Sequence, residues 1–360
     1  MRAILNRLWS RTGRDDRPKP IEPEVPVNAA SIGVARAENF PAAGPLPWLD
    51  RPDAPERIAA RLADGSLTEE QAALCRKWHD DGYIVLKRFF PAERLASVWS
   101  AYEAAIADGR VVPPPEEYEE GMPGRVLNPH FRVDPVREML ADPAMVAITD
   151  LLFGVRTLPF QTIIGHKGSE QKPHSDSIHM TTYPQGYLAA NWIAFEDIHA
   201  DSGPLVYYPG SHRLPYAYSR EVGIALEEGR AGYDAYHAKY EPFIEAAIRD
   251  NGLQPAYFEA EAGDVLVWHA NLLHGGSPRR DRRWSRKALV CHYFAEGCIC
   301  YHDYSGNLSH LHLSKQVPRE EFDAAAYLTA NPDVAAAGVD AYRHYVSHGV
   351  AEGRRLRPDG

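Results

Sequence analysis

Cysteine is scarce in this chain: Cys75, Cys291, Cys298 and Cys300 are the four among 360 residues. They are too few and too clustered for the disulfide framework of a secreted scaffold. Cys298 and Cys300 form C-x-C and not C-x-x-C, so buried thiols in a reducing cytosol are expected. Long apolar runs are missing as well. No stretch approaches the roughly 20 residues that a membrane helix needs, and no membrane span is expected. A basic excess is absent too: the formal charge is −10 at pH 7, which argues against a general nucleic-acid binder. The opening "MRAILNRLWSRTGRDDRPKP" is interrupted too often by arginine for a signal-peptide core. The chain reads as cytoplasmic.

What is present is an ordinary globular composition, 44% apolar and 24% charged, with enough chain for one large core or two smaller ones. Residues 1–45 read as a disordered, basic and Pro-rich arm. In "LTEEQAALCRKWHDDG", Thr68 and Gln71 make a capping box and Gly82 ends the helix. "YIVLKRFF" follows as a strand. Pro91 then opens a helix whose Leu95, Val98, Trp99, Tyr102 and Ile106 form a core face. A third helix is bounded by Asp142 as N-cap, Pro143 at its first position and Gly154 past its last turn.

From residue 157 the texture changes. "LPFQTIIGHKG", "LAANWIAFEDI", "GPLVYYPGSH", "GDVLVWHANLLHGGS" and "RKALVCHYFA" are short strand-like runs separated by turns such as Pro209-Gly210 and Gly263-Asp264. Strands after a helical lead-in predict a mainly β fold, a sandwich or jelly roll with helices packed on one side. A helical insertion at about 215–250 interrupts the strands. Its Tyr233, Tyr236, Tyr240 and Phe243 fall on one helical face, which either packs on the sheet or covers the mouth of a site. The Ala-rich segment 320–360 reads as a small helical C-terminal module with Asn331-Pro332-Asp333 as a helix start. It looks too small for a strong core of its own, so it docks on the main domain or mediates an oligomer or partner contact.

The chemistry is concentrated in "QKPHSDSIHM". On a strand, residues two apart share a face, so His174 and Asp176 converge, either as a polar patch or as two ligands of a metal. A third ligand must come from downstream, where His269 and His274 are available. His269 lies five positions before His274 and in a regular strand faces the other way. Two histidines and one carboxylate on one face of an octahedron are the arrangement of non-haem Fe(II) oxygenases. Arg286 follows on the next strand-like run, where a guanidinium fork could pair with the distal carboxylate of a 2-oxoglutarate cosubstrate. His310 and His312 repeat the spacing without a carboxylate and read as strand surface or turn. Arg279, Arg280, Arg282 and Arg283 read as a solvated loop that could steer an anionic substrate.

The set "HSDSIHM", "NWIAFEDIHADSGPLVYYPGSHR", "AGDVLVWHANLLHGGSP" and "SRKALVCHYF", in that order, resembles the phytanoyl-CoA dioxygenase (PhyH-like) family of Fe(II)/2-oxoglutarate-dependent oxygenases. "DDGYIVLKRFF" resembles its N-terminal strand, and the likeness runs from about 70 to 305. It implies a double-stranded β-helix (jelly roll, cupin-like) core at about 157–305, inside an oxygenase domain of 46–315 with a helical N-terminal part. It implies His174, Asp176 and His274 as iron ligands and Arg286 as the partner of the 2-oxoglutarate carboxylate. Trp192 matches the family's tryptophan near the cosubstrate, and Gln161 lies on a strand that often lines the pocket. Gly276 stands where relatives often carry a serine touching the cosubstrate, with Ser277 one place later.

Fe(II), 2-oxoglutarate and O2 are the implied cofactor and cosubstrates. The implied reaction releases succinate and CO2 and oxidises an unactivated C–H bond, with hydroxylation as the default outcome. Related halogenases lack the carboxylate ligand, so Asp176 argues against halogenation. The expected substrate is a small molecule, met near the mouth by His179, Tyr183, Tyr187, Tyr207 and Tyr208. The tail resembles a helical module appended to bacterial surface-polysaccharide and glycosyltransferase proteins, which points to a bacterial source and a glycan- or lipid-related substrate. Two other readings stay open. A cupin-like metal-binding protein without oxygenase activity would keep the triad but need no Arg286. An interaction protein would use a degenerate jelly roll only to carry the tail.

Overall fold

The computed structural model describes residues 18–19, 21, 34–42, 44–307, 322–345 and 354–358. The basic arm, for the most part, and His310 and His312 lie outside the described residues. Five helices open the ordered part: α1 (Ala54–Ala63), α2 (Glu69–Asp81), α3 (Ala92–Ala107), α4 (Asp134–Leu140) and α5 (Pro143–Phe153). Their ends follow local chemistry. The Thr68 hydroxyl accepts from the Gln71 N–H while the Gln71 amide oxygen accepts from the Thr68 N–H, so the two residues cap α2 reciprocally. Asp142 accepts from the N–H groups of Ala144 and Met145 at the head of α5, and its other oxygen pairs with Arg94 at 2.6 Å.

The strands are β1 (Tyr83–Leu86), β2 (Val126–Leu127), β3 (Thr157–Gly165), β4 (Thr181–Tyr183), β5 (Leu188–Ala194), β6 (Leu205–Tyr207), β7 (Ala256–Phe258), β8 (Val265–His269), β9 (His274–Gly276), β10 (Ala288–Ala295) and β11 (Ile299–Tyr301). Six form a large antiparallel sheet in the order β1-β8-β5-β10-β3-β2, and β7-β6-β9 form a small one. Each large-sheet strand sorts its side chains by alternation. Ala189, Ile193, Val265, Val267, Leu289 and Tyr293 pack into one core with Trp78, Val98, Ile148 and Leu152 of the helices. Ala190, Trp192, Ala194, Leu266, Trp268 and Ala288 face the other way, onto Leu205, Tyr207 and Phe258 of the small sheet. Burial on both faces explains the nearly continuous apolar runs. At about 1.5–3 kcal/mol per large side chain, these two cores dominate the stability and fix the frame of the site.

The insertion departs from its expected helical face. It comprises α6 (Leu226–Ala231), a π-helical turn at Tyr236–Tyr240 and α7 (Glu241–Asp250). Tyr236 and Tyr240 are buried, while Tyr233 and Phe243 are 52% and 43% exposed. The wider π turn puts residues 236 and 240 on one side and rotates Phe243 outward. The tail holds a small apolar cluster of its own. In α8 (Ala324–Ala330), α9 (Pro332–Ala336) and α10 (Ala341–His344), Tyr327, Val334, Ala341 and Tyr345 bury one another with Phe322 and Leu356. Aromatic side chains give this short segment a core that its length alone did not promise. All four cysteines are buried and free, and among the described residues no helix is long and apolar enough to cross a membrane.

Candidate active site

His174 and His274 sit opposite one another, joined by two backbone hydrogen bonds of 2.9 Å as an isolated antiparallel bridge. The bridge extends the small sheet by one residue and brings the two imidazoles to 4.5 Å between ring centres. Asp176 does not continue a strand, as the spacing had suggested, but begins a 3-10 turn, Asp176–Ile178. The extended residue between them does the converging. Ser175 donates its N–H to the Tyr240 hydroxyl at 3.1 Å and its own hydroxyl to the Ala270 carbonyl at 3.1 Å.

His174, Asp176 and His274 present ligand atoms that all lie within 4.8 Å of one another. Asp176 Oδ1 is 4.0 Å from His174 Nε2 and 3.6 Å from His274 Nε2. The remaining atoms are held from behind. His174 Nδ1 meets the Lys172 carbonyl at 3.0 Å and His274 Nδ1 the Leu272 carbonyl at 2.9 Å. A carbonyl can only accept, so both protons sit on Nδ1 and both Nε2 lone pairs point to the cluster. Trp268 Nε1 donates to Asp176 Oδ2 at 2.8 Å, which leaves Oδ1 for a cation. Burial, first, pushes both histidines down to about 4, so they are neutral and competent as ligands near neutral pH.

Gly275 and Gly276 let this geometry form. A Cβ on Gly276 would lie 2.5 Å from Ser169 Oγ and 2.7 Å from Glu170 N, and one on Gly275 2.5 Å from the Gln171 carbonyl. The segment leading into His174 therefore lies directly on these glycines. The absence of a serine at position 276 has a steric cause. Ser277 does not replace it, because its hydroxyl donates to the Pro204 carbonyl at 2.7 Å.

Arg286 is 6% exposed. Its guanidinium lies 5.7 Å from the centre of the Trp192 ring and donates one hydrogen bond, to the Gly203 carbonyl at 2.8 Å. Nε has no partner, and among the described residues no carboxylate pairs with this cation. Burial, with Arg125 and Arg279 nearby, lowers its pKa to about 10. Gln161 is half-buried and shares a register position with His292.

The other expected contacts are distributed differently. Tyr187 packs toward Phe153 in the helix-facing core, and Tyr183 stacks with Phe40 in a separate cluster. Tyr207 pairs with His274 in register, but its ring packs edge-on to Tyr83 at 4.6 Å. Strand burial thus uses these three rings as core. His179 does approach the cluster, 6.4 Å from the His174 ring. His269 turns away and meets Asp50 at 3.0 Å. Arg279 is not part of a solvated loop; it is buried and pairs with Glu119 at 2.6 Å.

Sequence reasoning passed over Trp268, His292, whose Nε2 is 3.9 Å from Asp176 Oδ2, and Arg125, whose charge is felt at both His174 and Arg286. The first two were open to strand parity. His292 has the parity of Arg286 on one strand-like run, and Trp268 that of Leu266 on another. Arg125 precedes a two-residue strand and has no local signature.

The phytanoyl-CoA dioxygenase (PhyH) family model matches residues 78–288. The chain belongs to the phytanoyl-CoA dioxygenase family. It is 28% identical over 148 residues to the peroxisomal phytanoyl-CoA dioxygenase of Mus musculus, covering 40% of this chain and 38% of that protein. It is 31% identical over 118 residues to the mouse phytanoyl-CoA dioxygenase domain-containing protein 1, covering 31% of this chain and 39% of that one. The chain thus spans about two-fifths of the length of these curated relatives. Among solved structures, the epimerase SnoN in complex with Fe3+, alpha ketoglutarate and nogalamycin RO aligns with a TM-score of 0.51 at 17% identity, over 71% of this chain and 92% of that one. The alpha ketoglutarate dependent carbocyclase SnoK gives 0.50 at 17% identity with the same coverage. At such identity the likeness is one of fold. The two-histidine, one-carboxylate set fits Fe(II), and the buried, acid-free Arg286 fits the carboxylate of 2-oxoglutarate.

Proposed function

We propose that this member of the family is an Fe(II)- and 2-oxoglutarate-dependent dioxygenase that hydroxylates an unactivated C–H bond of a small molecule and releases succinate and CO2. His174, Asp176 and His274 hold the metal, Arg286 pairs with the distal carboxylate of 2-oxoglutarate, and Trp192 and Gln161 line the space between. Residues 46–315 form the oxygenase domain, 320–360 a small module for oligomer or partner contact, and the protein works in the cytosol. Fe(II), when bound, supplies activation of O2. The protein's own part is positional: carbonyls fix the imidazole tautomers, Trp268 orients Asp176, and the packed sheets keep water from Arg286.

One observation carries the reading. Desolvating a guanidinium costs several kcal/mol, and Arg286 carries that cost with no acid beside it among the described residues. A metal-binding protein without a carboxylate ligand gains nothing from such a residue. Anaerobic calorimetry of 2-oxoglutarate against Fe(II)-loaded protein tests this. Arg286→Gln should weaken binding by about 1.5–3 kcal/mol, the worth of a charged hydrogen bond. Equal affinity in the variant would leave a metal-binding jelly roll without a cosubstrate site.

A further inference from the structure

Beside the candidate metal cluster stands a wall of His179, Tyr233, Tyr236, Tyr240, His302 and Tyr304. Tyr236 and Tyr240 stack at 4.8 Å and 23°, Tyr233 and Tyr304 at 5.4 Å and 16°. The His179 ring is 5.1 Å from Tyr236 and 5.4 Å from His302. The wall adjoins the cluster directly. Tyr240 holds Ser175, and the Asp176 charge is felt at the Tyr236 phenol.

Among the described residues, two buried polar atoms of this wall have no hydrogen-bond partner, Tyr236 Oη and His179 Nδ1. Tyr236 is 4% exposed. Such orphans are costly, and native folds keep few of them without a reason. Among the described residues the lysines beside the wall are paired with acids, Lys172 with Glu241 and Glu245 at 3.3 and 3.0 Å and Lys239 with Glu228 at 2.8 Å. Tyr233, 52% exposed, and half-buried His302 form the outer rim.

We propose that Tyr236 and His179 grip an uncharged ring compound bearing hydroxyl or carbonyl oxygens, and that acyl-CoA thioesters are not ligands of this wall. The half-exposed Tyr233 ring meets the ligand ring, the Tyr236 phenol donates to one ligand oxygen, and His179 Nδ1 donates or accepts according to its tautomer. The reaction at that ligand rests on the dioxygenase reading; the binding event does not.

Saturation-transfer NMR on the full-length, metal-free protein tests it. The probes are methyl β-D-glucopyranoside, methyl α-L-rhamnopyranoside and myo-inositol, set against butyryl-CoA. At least one neutral probe should receive saturation and butyryl-CoA none. Tyr236→Phe, which removes one oxygen, should weaken the neutral probe by about fivefold, the worth of a neutral hydrogen bond. The same variant should melt no lower than the wild type, since it deletes an unpartnered hydroxyl. Saturation of butyryl-CoA, silence from all three neutral probes, unchanged binding in Tyr236→Phe or a lowered melting temperature would each overturn the proposal. Calorimetry with 2-oxoglutarate should be indifferent to Tyr236→Phe, so failure of the wall and failure of the cosubstrate site are read separately.

Discussion

Trp268 offers a test of how the carboxylate is aimed. Its indole N–H donates 2.8 Å to Asp176 Oδ2, and both residues are almost fully buried, at 2% and 4% exposure. Trp268→Phe keeps an aromatic ring but removes the donor. A hydrogen bond to a charged acceptor is worth about 1.5–3 kcal/mol. That converts to ~10–100-fold in affinity, the range usual for partners that orient a metal ligand. Anaerobic Fe(II) titration of both proteins should show a dissociation constant raised by that factor. The smaller ring also leaves a gap and lowers the melting temperature of the metal-free protein. The informative quantity is therefore the further stabilisation on adding Fe(II), which should shrink in the variant. An Fe(II) affinity within about twofold of wild type, in a folded variant, would refute the claim that Trp268 aims Asp176.

Other outcomes follow from the same geometry. Gly276→Ser drives a side chain into Ser169 and Glu170 and should lower the urea midpoint by the equivalent of about 1–3 kcal/mol of overpacking; an unchanged midpoint would contradict the steric account. Asp142→Ala removes the cap of α5 and the ion pair with Arg94, and urea unfolding should register a loss of about 2 kcal/mol. Acid should also weaken the fold through buried histidines. Burial pushes His130 and His212 down to about 3, below the ~6.5 of an unfolded imidazole. The unfolded chain therefore takes the proton first. Stability is complete above pH ~6.5 and falls by up to ~1.4 kcal/mol per pH unit per histidine on acidification. Urea midpoints between pH 7.5 and 5 should show this slope, shallower in His130→Asn; equal slopes would refute the His130 contribution.

How far the chain could be read depended on whether the determinant was local. The caps at Thr68, Gln71 and Asp142 and the stop at Gly154 rest on residues within one turn, and the structure has them as expected. The short apolar runs bounded by turns likewise read as strands, and β5, β8 and β10 are strands of the large sheet. The approach of His174 to Asp176 was legible, but its form was not. Ser175 is set by Tyr240, Ala270 and Asn271, and no spacing within "QKPHSDSIHM" reveals those partners. Arg279 read as solvated because its acid, Glu119, lies 160 positions away. Tyr183, Tyr187 and Tyr207 read as site surface, yet aromatic residues in or beside strands more often fill a core, and here all three are buried. Family likeness reached further than spacing alone, because His274 and Arg286 are distant in sequence from His174.

The proposed dioxygenase activity requires an iron site and a carboxylate-binding cation that serve one cosubstrate. Anaerobic addition of 2-oxoglutarate to Fe(II)-loaded protein, followed in the visible spectrum, tests it most directly. A weak metal-to-ligand charge-transfer band should appear and saturate in the wild type, need a higher 2-oxoglutarate concentration in Arg286→Ala and be absent or altered in Asp176→Ala. Bound iron with no band at any 2-oxoglutarate concentration would contradict it.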